Sequence, residues 1–343
     1  MTRDHGSRRL RRRDRNALVA AALTVLSLTA SGCVVVHGER EVLPAGTRAE
    51  AAKALERFTN AYNAADKAYD SSLDADFVTG ALGDMDAARL RAGRVNHPGG
   101  NSAHVPLKLS DVKLTIPKKA GWPRWFVADT ATNKGGSARW LFVFTRDSLA
   151  EPFQVAYLTL VAPGDVPGFK LDKDGWAEAV PADSAGLTIR PRDLSEQYVT
   201  YLESGTGAFA NGPHTSGWRV TRAKGASRPG LVTQYIDQPR TGGAYAPLAL
   251  RTEDGGAMVF FTTHHYARQT AAVGTAVPTQ NRNVRALTKG EVKQSLTLES
   301  VSNEVVLDPA TGTAGSASGD GKSGGGKVRM LGRVQGLTAA KGE

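Results

Sequence analysis

Cysteine is almost missing: Cys33 is the only one among 343 residues. A single thiol makes no internal disulfide, so disulfide exchange and multi-thiolate metal sites are excluded. A membrane-length apolar run is missing at the N-terminus, where the uncharged stretch 17–30 is shorter than the roughly 20 residues that span a bilayer as a helix. A large charge excess is missing too, once the N-terminus is set apart. The whole chain carries +10, but residues 1–32 hold seven arginines and two aspartates. What remains is 36 basic against 31 acidic side chains, a net of +5. That is no nucleic-acid footprint, and suits a mildly basic surface near anionic lipid heads or wall polymers.

Catalytic motifs are also lacking in usable form. Gly321-Lys322-Ser323 ends like a phosphate loop, yet Gly324-Gly325-Gly326 follows where a helix must begin. The same stretch fits G-x-S-x-G, but a nucleophile elbow needs a strained strand-to-helix turn. Both matches fall in the Gly/Ser-rich segment 311–326, which its composition makes a loop.

What is present starts at the N-terminus. Arg3, Arg8, Arg9, Arg11, Arg12, Arg13 and Arg15 form a basic block, residues 17–30 a short apolar block, and Ala30, Ser31 and Gly32 are small. These are the marks of a secretory signal. Leu28-Thr29-Ala30-Ser31-Gly32-Cys33 resembles a bacterial lipoprotein lipobox. The resemblance implies cleavage between Gly32 and Cys33, a diacylglyceryl lipid on Cys33, and anchoring at the extracytoplasmic face of the cell membrane. Two acyl chains hold a protein stably where one does not. Ser7-Arg8-Arg9 resembles the start of a twin-arginine signal, and Leu10-Arg11-Arg12-Arg13 does not complete it; Sec export stays open beside it. Beyond the lipid, no cofactor is expected.

After a signal peptide at 1–32 and a lipidated tether at 33–46, two domains are expected, at 47–182 and 187–343. Thr47-Arg48-Ala49-Glu50 has capping-box spacing, and Leu55, Phe58, Tyr62, Ala65 and Tyr69 form one helical stripe. Strand-like runs follow at 107–116, 125–129, 138–145 and 153–161. "RWLFVFT" and "FQVAYLTLV" are apolar on both faces, as covered central strands are. The second half opens with Pro191, places Leu194, Tyr198, Tyr201 and Leu202 on one helix face, and stops at Gly205. Strands are then expected at 231–236, 248–251, 257–266, 293–299 and 327–334. A helix followed by antiparallel strands, twice, predicts an α+β protein of two tandem helix-plus-curved-sheet domains. This element order is similar to the cone-shaped fold of the nuclear transport factor and cystatin-like group. The stretch "TGALGDMDAARLRAGR" at 79–94 resembles a group of uncharacterised actinobacterial lipoproteins.

A cone fold implies a pocket between helix and sheet. Its candidate linings are Tyr62, Trp140, Phe142 and Tyr157 in the first half, and Tyr198, Phe260, His264 and Tyr266 in the second. His264 and His265 are neighbours on a strand, so they face opposite ways and hold no common metal ion; one is expected in solvent and the other packed. His37, His97, His104 and His214 lack ligand spacing. Asp70, Asp74, Asp76, Asp84 and Asp86 lack the calcium-loop ladder and read as solvated caps and turns. Asp172-Lys173-Asp174-Gly175 reads as a turn. In "KKAGWPRWF", residues 118–126, tryptophans beside cations suit a wall polymer, or Trp125 packs in the core while Trp122 covers a proline turn. No catalytic or metal residue is assigned. The chain therefore reads as a lipid-anchored binding or scaffold module whose partner is an envelope protein or cell-wall polymer. The alternative is a hydrolase or isomerase pairing His264 with a carboxylate such as Asp254.

Overall fold

Thr47 begins the first helix as its spacing dictates. Its Oγ1 accepts from the Glu50 N–H at 3.1 Å, and Glu50 Oε2 accepts from the Thr47 N–H at 2.8 Å. Helix α1 (Arg48–Ala68) follows, and Tyr69 ends it in a left-handed conformation with φ 50°. A computed structural model describes residues 41–312 and 326–343. The signal segment, Gly32, Cys33 and positions 313–325 of the Gly/Ser-rich stretch lie outside the described residues.

The further helices are α2 (Gly80–Asn96), α3 (Leu194–Ser204), α4 (Ser216–Gly225) and α5 (Arg282–Leu287). Gly205 closes α3 at φ 79°, as its sequence predicts. The strands of the first half are β1 (Leu43–Pro44), β2 (Leu109–Thr115), β3 (Pro117–Lys119), β4 (Arg124–Thr132), β5 (Arg139–Arg146), β6 (Gln154–Val161) and β7 (Ala177–Val180). Those of the second are β8 (Ser227–Arg228), β9 (Leu231–Arg240), β10 (Leu248–Arg251), β11 (Ala257–Ala271), β12 (Thr288–Lys289), β13 (Ser295–Asp308) and β14 (Arg329–Gly342).

Strands β2–β4–β5–β6 make one antiparallel sheet. A second sheet runs β1–β3–β7–β10–β11–β13–β14–β12, and β9 pairs with the far half of β11. Three short strands of the first half thus lie in the same sheet as the second half. The halves expected at 47–182 and 187–343 do not separate: Val42–Glu343 is one compact unit. The protein is α+β, built as stacked layers.

Strand alternation explains the stacking. Phe126, Ala128, Phe142 and Phe144 face α1, where they pack on Ala51, Leu55 and Phe58. Trp125, Val127, Leu141 and Val143 face the other way, onto Met258, Phe260, Val305 and Leu331 of the long sheet. The far side of the long sheet, through Val259, Phe261 and Val306, is covered by Leu194, Tyr198, Tyr201 and Leu202 of α3. The layers therefore run helix, small sheet, long sheet, helices. This is why "RWLFVFT" is apolar on both faces. The two sheets approach closely at Gly332, where a Cβ would collide with the Leu160 carbonyl.

Candidate functional site

The layering divides the residues expected in pockets. Tyr62, Trp140 and Phe142 meet around Phe58, with ring centroids 5.7 Å (Tyr62–Phe58), 5.4 Å (Phe58–Phe142) and 6.0 Å (Trp140–Phe142) apart. They belong to the filled core between α1 and the small sheet. Tyr157 points to the opposite face, 6.1 Å from Phe260, and its hydroxyl donates to the Ala246 carbonyl at 2.8 Å. Tyr198 packs on Phe261, on the far side of the long sheet from Phe260. The His264 and Tyr266 rings lie 4.4 Å apart, tilted by 32°. Neither expected set converges on one cavity, because alternation on β5, β6 and β11 sends its members to different layers.

The histidine pair does face opposite ways, but both rings are buried, at 6% and 3% exposure. His264 Nδ1 lies 3.0 Å from Arg240 Nη2. Burial, and then the Arg240 charge, hold its pKa below the usual imidazole value. Asp254 does not pair with it. That carboxylate sits in the β10–β11 turn, where Thr252 Oγ1 and the Gly256 N–H both donate to it.

The carboxylates after α1 also depart from the expected solvated caps. Asp70 does cap a short 3-10 turn, accepting from the Ser72 N–H at 3.0 Å. Asp74 and Asp86, however, are 1% and 4% exposed. Burial and the adjoining Asp86 carboxyl push Asp74 up to about 8. Arg89 binds Asp86 at 2.7 Å and also pairs with Asp66, while His104 Nδ1 lies 2.7 Å from Asp66. This cluster ties α1 to α2. Among the described residues, no group of three or more His, Cys, Asp or Glu side chains is placed to hold a metal ion.

An open groove of about 690 Å³ lies between α3, α4 and β9. Val199 and Leu202 line one wall, Arg219, Val220 and Ala223 another, and Tyr235, Ile236 and Asp237 the third. Tyr235 and Ile236 project to opposite faces of β9, so the groove follows the strand's edge. Val220 and Ile236 are 52% and 50% exposed, giving the groove an apolar lining open to solvent.

Its floor is ionic. Arg222 grips Asp237 with both terminal nitrogens, at 2.5 and 2.8 Å. His265 Nδ1 lies 2.6 Å from the same carboxylate, and His265 Nε2 lies 2.6 Å from Ser302 Oγ. Ser302 donates to Glu304, and Arg333 lies 3.5 Å from Glu304 and 3.3 Å from His265. Two guanidiniums lie over the Trp218 ring, Arg222 at 5.2 Å and Arg333 at 4.5 Å. Burial alone would raise the Asp237 pKa, but hydrogen bonds from His265 and Arg222 outweigh it and hold the carboxyl at about 2. Burial pushes Glu304 up despite His265 and Arg333.

Carboxylate, imidazole and hydroxyl follow each other here in the order that activates a nucleophilic serine. Ser302 is nevertheless wholly buried, and its hydroxyl is engaged by the Glu304 carboxylate where an oxyanion hole would need donors. The chain Asp237–His265–Ser302–Glu304 instead fastens β9, β11 and β13 together, and Arg222 fastens α4 to them. It fixes the floor of the groove. The sequence gives one sign of it: Glu304 and Asp308 are charges inside the strand run "NEVVLD".

The protein-family model described as "Domain of unknown function (DUF8094)" matches residues 42–342, nearly the whole compact unit. An "uncharacterized lipoprotein" of Streptomyces coelicolor is 66% identical over 343 residues, covering all of both chains. One of Streptomyces avermitilis is 58% identical over the same full length. A second from S. coelicolor is 26% identical over 212 residues, 59% of each chain. No solved structure matches. The extent of the family match and of the two full-length similarities shows that this chain belongs to the DUF8094 family.

Proposed function

We propose that the protein is a lipid-anchored binding lipoprotein of the extracytoplasmic face of the cell membrane. Cys33 carries the diacylglyceryl lipid after cleavage at Gly32. The groove between α3, α4 and β9 takes a partner of the cell envelope. The anchor is supported by the lipobox resemblance and by full-length relatives that are named lipoproteins. The binding role is carried by one observation: half-exposed aliphatic side chains line a groove whose floor is locked by a bidentate buried ion pair. A rigid floor limits the ordering cost of binding, and exposed apolar walls supply the driving force.

A photo-crosslinking amino acid placed at Val220 or Ile236 in cells tests this reading. Discrete adducts are expected from both positions, and none from Val273, which is 96% exposed outside the groove. No adduct from the groove, or the same adduct from Val273, would overturn it.

A further inference from the structure

The folded unit begins at β1, the outermost strand of the long sheet. Leu43 pairs with Lys119 and Pro44 with Lys118. Val42 and Leu43 are exposed at this edge, and Leu171 is exposed across a hollow of about 220 Å³ that also touches Lys118, Lys170 and Trp176. Trp122 stands beside them: Arg124 lies 5.6 Å from its ring and donates to the Leu43 carbonyl at 3.1 Å. Three exposed aliphatic side chains, a half-buried tryptophan and four lysines, counting Lys173 in the adjoining turn, thus form one patch. Acidic neighbours neutralise much of it, with Lys118 at 2.5 Å from Asp172 and 3.5 Å from Asp174, and Lys170 at 2.9 Å from Glu178. The exposed Lys173 pairs with none of these carboxylates, which leaves the patch a small positive excess. Lys119 instead donates to the Pro123 carbonyl at 2.7 Å.

Val42 lies only nine positions after Cys33. Such a segment reaches about 30 Å when extended and roughly 15–18 Å as a flexible chain. An anchor at Cys33 therefore keeps the β1 edge within a short distance of the lipid headgroups. Tryptophan and lysine beside aliphatic side chains is the composition that settles at a membrane interface. Lysines close to an anionic leaflet are drawn to it.

We infer that this patch, Val42, Leu43, Trp122 and Leu171 with Lys118, Lys119, Lys170 and Lys173, rests on the anionic lipid surface to which Cys33 is anchored. The contact turns the long sheet edge-on to the membrane. It rests on the lipid-anchor reading for its setting, so its test supplies the anchor chemically.

Residues 33–343, the processed form that retains the whole compact unit, are coupled through the lone thiol of Cys33 to a maleimide lipid. The vesicles are phosphatidylcholine with or without phosphatidylglycerol. Lysine acetylation is then read by mass spectrometry. On anionic vesicles Lys170 and Lys173 are expected to be labelled several-fold more slowly than in free protein, with Lys224 of α4 unchanged. Val42→Asp combined with Leu171→Asp, both at exposed positions, should abolish that protection and leave thermal melting unchanged. Equal labelling with and without vesicles overturns the proposal, as does protection that survives the double variant or covers Lys224 equally. Failure of lipidation in cells leaves this result untouched, so the two ideas fail separately.

Discussion

Asp237→Ala is expected to destabilise the folded unit by about 3–5 kcal/mol, the cost of breaking a buried ion pair from one side. The carboxylate is the common partner of Arg222 and His265, whose side chains are 8% and 3% exposed. Its loss leaves the buried Arg222 guanidinium without its anion and His265 Nδ1 without its acceptor. It also frees α4, since Arg222 is what that helix holds Asp237 with. For a unit of this size, a fall in Tm on the order of 10 °C follows. Replacing both members of the ion pair, as Arg222→Met with Asp237→Leu, should recover part of the loss, because the guanidinium is then gone and only His265 Nδ1 is left without its acceptor. Chemical denaturation of the two variants measures both effects. A change under 0.5 kcal/mol in Asp237→Ala would show that the ionic floor carries no structural load.

The second large effect is on pH dependence. Asp74 is held protonated by burial and by the Asp86 carboxyl, with its pKa moved from 3.8 to about 8. Its folded pKa lies above its unfolded one, so its stabilising contribution is complete below pH 3.8. That contribution is lost as pH rises through about 8. Asp308, pushed by burial to about 7, acts in the same direction. Among the groups facing Asp74, Arg89 opposes the shift, while Asp66 and His104 form the neighbouring part of the cluster. The protein should therefore lose stability between pH 4 and 9. Asp74→Asn, whose amide donates to Asp86 as the protonated acid does, should remove most of that slope. At pH 9 the variant should be more stable than the native chain by on the order of 3–5 kcal/mol. Melting curves across the range test this, and an unchanged slope in Asp74→Asn would refute it.

Local patterns were legible in the sequence, and long-range pairings were not. The Thr47–Glu50 capping box, the Gly205 stop and the two-sided apolar strands follow from spacing alone. Trp125 in the core and the turn at Asp172–Gly175 follow in the same way. Helix α2 was obscured because "GALGDMDAARLRAGR" is rich in small and charged residues, which blur its apolar stripe. The shared sheet was hidden because β3 and β7 are three and four residues long, too short for alternation to register. The groove was hidden for another reason. Arg222 is 15 positions from Asp237, and His265 a further 28, so only β9–β11 register brings them together. Asp74 and Asp86 look like solvated caps until α1 and α2 close over them. Spacing alone also cannot say which strand face looks into which layer, and that is what divided Tyr157 from Phe142 and Tyr198 from Phe260.

The groove and the β1 edge act at the membrane only if the chain is fixed there by Cys33. Mass spectrometry of the N-terminal peptide from membrane-extracted protein tests this most directly. A peptide beginning at Cys33 and carrying a diacylglyceryl mass is the expected result. An unmodified Cys33, or residues 1–32 still attached, would contradict it.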